Sequence, residues 1–234
     1  METIHIQSFV AAEPEAVWRQ LVDRPDVVLD ALPIDAWPER TERRSPTRLL
    51  VPWPPVGGAN PTTVDITLAP VASGTRVDLR HEGWPDGSEG QEVVAGHFAG
   101  WLQALAALGL LVESGKDARA SVASATRGER YFASGEIPAG PDAVFRAITD
   151  PPVLARWSEG ALAGTEVRDS VESRYVRWTL SDAAGGPGAP RELVAILRRT
   201  PRGTHCALAE YGVSDRSASL RWPKMLERLA QFLR

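Results

Sequence analysis

The feature that most constrains this chain is that it writes one phrase twice. "AEPEAVWRQLVDRPDVVLD" (Ala12 to Asp30) returns as "AGPDAVFRAITDPPVLARW" (Ala139 to Trp157), and a shift of 127 residues lays Glu15-Ala16-Val17-Trp18 on Asp142-Ala143-Val144-Phe145 without a gap. Downstream, "PTTVDITLAPVASGTRVDLRHEGW" (Pro61 to Trp84) pairs with "PRELVAILRRTPRGTHCALAEYGV" (Pro190 to Val213), so that Gly74-Thr75 meets Gly203-Thr204. "GWLQALAALGLLVE" then pairs with "RWPKMLERLAQFLR", which puts Trp101 on Trp222. A repeat on this scale is a repeated domain. One domain is expected over residues 1–113 and a second over 130–234, with 114–129 between them small, polar and linker-like.

Each copy spells the same elements. Ile4-His5-Ile6-Gln7 and Tyr131-Phe132-Ala133-Ser134 suit an opening strand, and Pro14 and Pro141 then stand where a helix tolerates a missing N–H. Pro25 and Pro151-Pro152 end that helix and start a shorter one. Val64, Ile66 and Leu68, then Val77, Leu79 and His81, alternate with polar neighbours on either side of "ASGT", the pattern of a hairpin with one buried face. Val94, Phe98, Trp101, Leu105, Leu108 and Val112 recur at helical spacing and are expected to cover the sheet. The class is α+β: two tandem helix-grip domains, each a curved antiparallel sheet wrapped on a long C-terminal helix.

Composition excludes several chemistries. One cysteine, Cys206, rules out an internal disulfide, and His5, His81, His97 and His205 have no metal-ligand spacing, so neither metal nor cofactor is expected. A net charge of -4 gives no case for nucleic acid. No apolar run approaches a membrane span, the best being "LQALAALGLLV" at Leu102 to Val112, and Met1 to Ala12 lacks the features of a signal peptide. A cytoplasmic protein without membrane contact is the expectation.

"AVFRAITDPPVLARW", "GTRVDLRHEGW" and "GHFAGWLQALAAL" resemble, in sequence and order, the bacterial proteins related to the activator of Hsp90 ATPase. Those belong to the START/Bet v 1-like (SRPBCC) superfamily, which also holds polyketide cyclases and lipid-transfer proteins. The resemblance implies the helix-grip fold and leaves function open. Two departures stand out against it. Both copies are short after the second helix, where relatives carry more strand, and copy one has Asp30 where Trp157 keeps the family's tryptophan.

Such a sheet and helix commonly enclose a small-molecule site. Its candidate lining is Trp53, His81, His97, Phe98 and Trp101 in copy one, and Trp157, Trp178, Glu210 and Trp222 in copy two, with Trp53 and Trp178 read as matched positions. Core packing alone suffices to explain the tryptophans and is the simpler reading of each. His81 has Glu210 as its counterpart, and His97, one turn before Trp101, is placed to meet His81. No nucleophile or orienting carboxylate accompanies them, so no catalytic residue is assigned. Cys206 reads as a small buried strand residue.

Three functions fit these features. The first is a binding protein for a small apolar or amphipathic molecule. The second is a protein-interaction module of the Hsp90-activator kind, and the third a cyclase- or hydrolase-type enzyme using His81, His97 or Glu210. Residues 1–114 carry 8 basic and 16 acidic side chains, and residues 115–234 carry 18 and 14. Opposite net charge favours docking of the two domains on each other, and homo-oligomerisation stays open.

Overall fold

Alternation of apolar and polar residues builds one sheet in each of two compact units, Met1–Asp117 and Ala118–Arg234. The structure is a computed structural model, and it describes residues 3–30, 32, 34, 36–55, 61–84, 88–118, 129–162, 165–180, 191–213 and 218–234. Most of the expected linker, 119–128, lies outside the described residues.

The first unit runs β1 (Ile4–Val10), α1 (Pro14–Asp23), α2 (Pro25–Val28), β2 (Glu42–Arg44), β3 (Arg48–Trp53), β4 (Thr62–Val71), β5 (Gly74–Glu82) and α3 (Ser88–Ser114). The second repeats this order as β6 (Glu129–Ile137), α4 (Pro141–Thr149), α5 (Pro151–Trp157), β7 (Glu166–Val171), β8 (Tyr175–Leu180), β9 (Arg191–Thr200), β10 (Gly203–Val213) and α6 (Ala218–Phe232). Both sheets are five-stranded and antiparallel, ordered β1-β5-β4-β3-β2 and β6-β10-β9-β8-β7. The hairpins β2–β3 and β7–β8 fill the stretch where the sequence looks short.

Matched residues do matched work. Gly74 and Gly203 open β5 and β10 at φ +150° and +139°, and a Cβ there would lie 2.2 Å from the carbonyl oxygens of Val10 and Ile137. No side chain fits that approach. The following threonines each donate a hydroxyl across it, Thr75 to the Ala12 carbonyl and Thr204 to the Ala139 carbonyl, both at 2.7 Å. The opening strand is thereby stitched to the last one in both copies.

In each unit the long helix lies on the sheet's inner face against the opening strand. Val17, Leu21, Leu49, Val64, Ile66, Leu79, Trp101 and Leu108 are fully buried in the first core. Val144, Ile148, Val176, Leu193, Trp222 and Leu229 hold the same role in the second. Burying each tryptophan contributes about 4 to 6 kcal/mol of gross transfer energy, which is the main return for placing four of them on inner faces.

Three sequence expectations change. Phe98 is 42% exposed, because the sheet-facing position of that turn goes to His97, one residue earlier. Trp53 and Trp178 are not equivalent. Trp53 pairs with Thr62 in β4, whereas Trp178 pairs with Leu193 in β9, and Leu193 corresponds to Val64, so Trp178 sits two residues further into the sheet. The two-residue period keeps both on the inner face. Finally, Val93–Ser114 of α3, with mean hydropathy 1.5, is long and apolar enough to cross a membrane by length and composition alone, and 61% of that window is buried.

Candidate functional site

The end of the first sheet where β3 and β5 finish and β4 begins carries a cluster of rings. Trp53 closes β3, Thr62 opens β4, His81 lies near the end of β5, Trp84 follows it, and His97 and Trp101 descend from α3. Ring centroids are 5.4 Å apart for Trp53 and His81, 6.2 Å for Trp53 and His97, 5.6 Å for the two histidines, and 4.1 Å for His81 and Trp84. All of these side chains are buried.

His81 is wired on both sides. Trp101 Nε1 donates to its Nδ1 at 3.1 Å, and its Nε2 meets Thr62 Oγ1 at 2.7 Å. Burial, reinforced by the nearby His97, pushes its pKa down from 6.5 to about 3, so it is a neutral imidazole at ordinary pH. Trp84 covers this ring and donates its indole N–H to the His81 carbonyl at 2.9 Å.

His97 is wired on one side. Its Nδ1 donates to the Val93 carbonyl at 2.9 Å, and burial lowers its pKa as well, against the opposing pull of that carbonyl. Its Nε2, and Nε1 of Trp53, are buried with no partner among the described residues. Such atoms are rare and costly inside a folded protein.

The second unit builds the same position differently. Trp222, the counterpart of Trp101, donates its indole N–H to Glu210, the counterpart of His81. Arg191, at the place of Thr62, binds that carboxylate through Nε at 2.9 Å and through Nη2. Arg221 adds bonds of 2.9 and 2.7 Å from α6. Glu210 is fully buried and closed on every side by donors, an arrangement suited to structure more than to reaction.

The second core also holds a cavity of about 20 Å³, lined by residues including Trp157, Trp178, Cys206, Leu208 and Trp222. Space of this size holds roughly one water, and the lining is apolar. Burial pushes the Cys206 thiol up to about 12, so the sulfur is an inert wall. Among the described residues no three His, Cys, Asp or Glu side chains gather as a metal set.

The structure thus brings Trp53, His81, His97 and Trp101 together, separates Phe98 from them, and gathers Trp157, Trp178 and Trp222 around a nearly filled core. The sequence reading missed Thr62, Trp84, Arg191 and Arg221. Strand alternation carried the signal for Thr62, two residues before Val64 on the inner face. Arg191 stands in the same way two residues before Leu193.

The family model described as Activator of Hsp90 ATPase homolog 1-like protein matches residues 34–113. No curated protein matches the chain. Among solved structures, protein MLL2253 from Mesorhizobium loti is similar at 21% identity and TM-score 0.39 over 45% of this chain and 96% of its own. DynU16, a putative protein in the dynemicin biosynthetic locus, covers 100% of this chain and 96% of its own at 14% identity and TM-score 0.45. The di-domain ARO/CYC BexL from the BE-7585A biosynthetic pathway covers 100% and 99% at 10% identity and TM-score 0.38. The chain is a tandem of two helix-grip domains, and residues 34–113 of the first match the activator-of-Hsp90-ATPase-like family model.

Proposed function

We propose that the first domain binds a small, mostly apolar molecule at the ring cluster, and that the second domain is its structural partner with a locked equivalent of the site. One observation carries this reading: Trp53 Nε1 and His97 Nε2 are a buried donor and a buried acceptor in one cluster, both without a partner among the described residues. A folded core normally satisfies such atoms, and a ligand that pairs with both would recover their desolvation cost. The second domain differs at the equivalent position, where Glu210 is fully bonded; its own buried indole N–H without a partner among the described residues belongs to Trp178, which lines a cavity of only about 20 Å³.

Trp84 gives the site a way to open. Alone among the cluster it lies outside helix and strand, and its ring covers both histidines, at 4.1 and 4.8 Å. Swinging it aside would uncover the two imidazole rings at the cost of its bond to the His81 carbonyl.

Native mass spectrometry of the chain purified without added ligand tests the reading. A retained small molecule, lost on Trp53→Phe with His97→Phe, is the expected result. A bare chain that also takes up nothing from a panel of apolar compounds would overturn it.

A second reading rests on the family match over residues 34–113, whose description points to chaperone activation. Stimulation of an Hsp90 ATPase by the purified chain, undiminished by the same double change, would favour it.

A further inference from the structure

We propose that the ring cluster of the first domain recognises an uncharged hydroxyl group carried on a planar ring, seated between Trp53, Thr62 and His97. This rests on the reading of that domain as a small-molecule binder and names the ligand's chemistry.

Hydrogen-bonding capacity sets the class. An indole nitrogen only donates, so Nδ1 of His81 must accept from Trp101, and the His81 proton resides on Nε2. That proton goes to Thr62 Oγ1 at 2.7 Å. A hydroxyl that accepts in this way still has its own proton to give. The series from Trp101 through His81 therefore ends in an O–H donor directed away from His81.

Thr62 is the register partner of Trp53, and both side chains are buried on the inner face, so this hydroxyl shares its cluster with an indole N–H that has no partner among the described residues. From the helix side, His97 has committed Nδ1–H to its own helix, which leaves its buried Nε2 as an acceptor with no partner among the described residues. Two donors and one acceptor thus belong to one buried cluster, with the Trp53 and Trp101 rings as its apolar walls and Trp84 as its cover.

A neutral hydroxyl oxygen has the complementary set, two lone pairs to receive and one proton to give. A carbonyl answers the donors and leaves His97 Nε2 unpaired. A carboxylate does the same and also brings a buried charge, with both imidazoles held neutral by burial. The indole faces favour a flat apolar body behind the hydroxyl.

The test is isothermal titration calorimetry of the full chain at pH 7.5 with 2-naphthol, 2-methoxynaphthalene, naphthalene and 2-naphthoate. 2-Naphthol is expected to bind tightest, the methyl ether about tenfold more weakly because it lacks the proton for His97, and naphthalene more weakly again. The carboxylate should not bind measurably. His97→Phe should bring 2-naphthol and its ether to equal affinity. Equal binding of the three neutral compounds to the unaltered chain, or tightest binding of the carboxylate, would overturn hydroxyl recognition while leaving a ligand-binding first domain in place. Failure of all four to bind would overturn both.

Discussion

The indole N–H of Trp101 lies 3.1 Å from Nδ1 of His81, and that contact fixes a neutral imidazole in the middle of a core. The bond can form only while Nδ1 is unprotonated. Folding therefore competes with protonation of this side chain.

The sign follows from linkage. The unfolded chain takes up a proton on His81 below about pH 6.5, whereas the folded chain resists until about pH 3. Stability of the first domain should be fully present above pH 6.5 and fall as the pH drops toward 3, by about 2 to 3 kcal/mol at pH 4.5 from this group. His97, also lowered, acts in the same direction. Urea unfolding from pH 8 to 4, resolved by domain through hydrogen exchange, checks this: His81→Gln should flatten the slope of the first domain and leave the second unchanged. An unaltered slope would show that His81 does not carry the dependence.

At the equivalent place in the second domain a carboxylate replaces the imidazole, and its neighbours have changed with it. Thr62 becomes Arg191, Gly100 becomes Arg221, and both arginines bind Glu210. Glu210→Gln leaves two guanidinium groups against a neutral amide. With the arginines partly exposed, the expected cost is about 2 to 4 kcal/mol, below that of a fully buried broken pair. Transplanting the first domain's set, Glu210→His with Arg191→Thr and Arg221→Gly, should recover at least half of what Glu210→His alone loses. A triple variant no more stable than the single one would mean that the three positions are not coupled.

Much of this was legible before any coordinates. The repeat located both domains, and Gly74-Thr75 and Gly203-Thr204 marked the turns because the approach to Val10 and Ile137 admits no Cβ. Alternation turned His81 and Glu210 inward, since a two-residue period is all that a strand face requires. Phe98 was misplaced for the opposite reason: a helical stripe is broad, and hydrophobicity does not say whether His97 or Phe98 takes the inner position. The bonds around His81 and Glu210 were invisible because they join residues from different elements, which no local pattern connects.

Trp37 is a further residue of that kind. Copy one lacks the tryptophan that Trp157 supplies in copy two, yet Trp37 donates its indole N–H to the Leu21 carbonyl at 2.9 Å, as Trp157 does to the Ala147 carbonyl at 2.8 Å. Both bonds reach the last turns of the first helix of their domain, where carbonyls lack helical partners. Trp37→Phe and Trp157→Phe should each cost about 1 to 2 kcal/mol, the price of one buried bond and its stranded acceptor. Urea midpoints of the two variants should shift alike. A large cost for one and none for the other would break the equivalence.

Trp84 separates a lid from a core residue. Its ring packs on His81 and His97 and is 2% exposed, so Trp84→Ala should destabilise the first domain by about 3 to 5 kcal/mol, as loss of any buried aromatic does. Trp178→Ala should cost the second domain a similar amount. The two differ in what repairs them. If Trp84 must swing aside for a ring to reach Trp53 and His97, its removal spares the ligand that displacement, and 2-naphthol should bind the variant more tightly than it binds the unaltered chain. Ligand in excess of its dissociation constant then restores stability by mass action, about 2.7 kcal/mol at a hundredfold excess. Thermal unfolding with and without 2-naphthol measures this directly: rescue of Trp84→Ala and none of Trp178→Ala marks Trp84 as the cover of a site, whereas equal rescue, or none in either, makes it core alone.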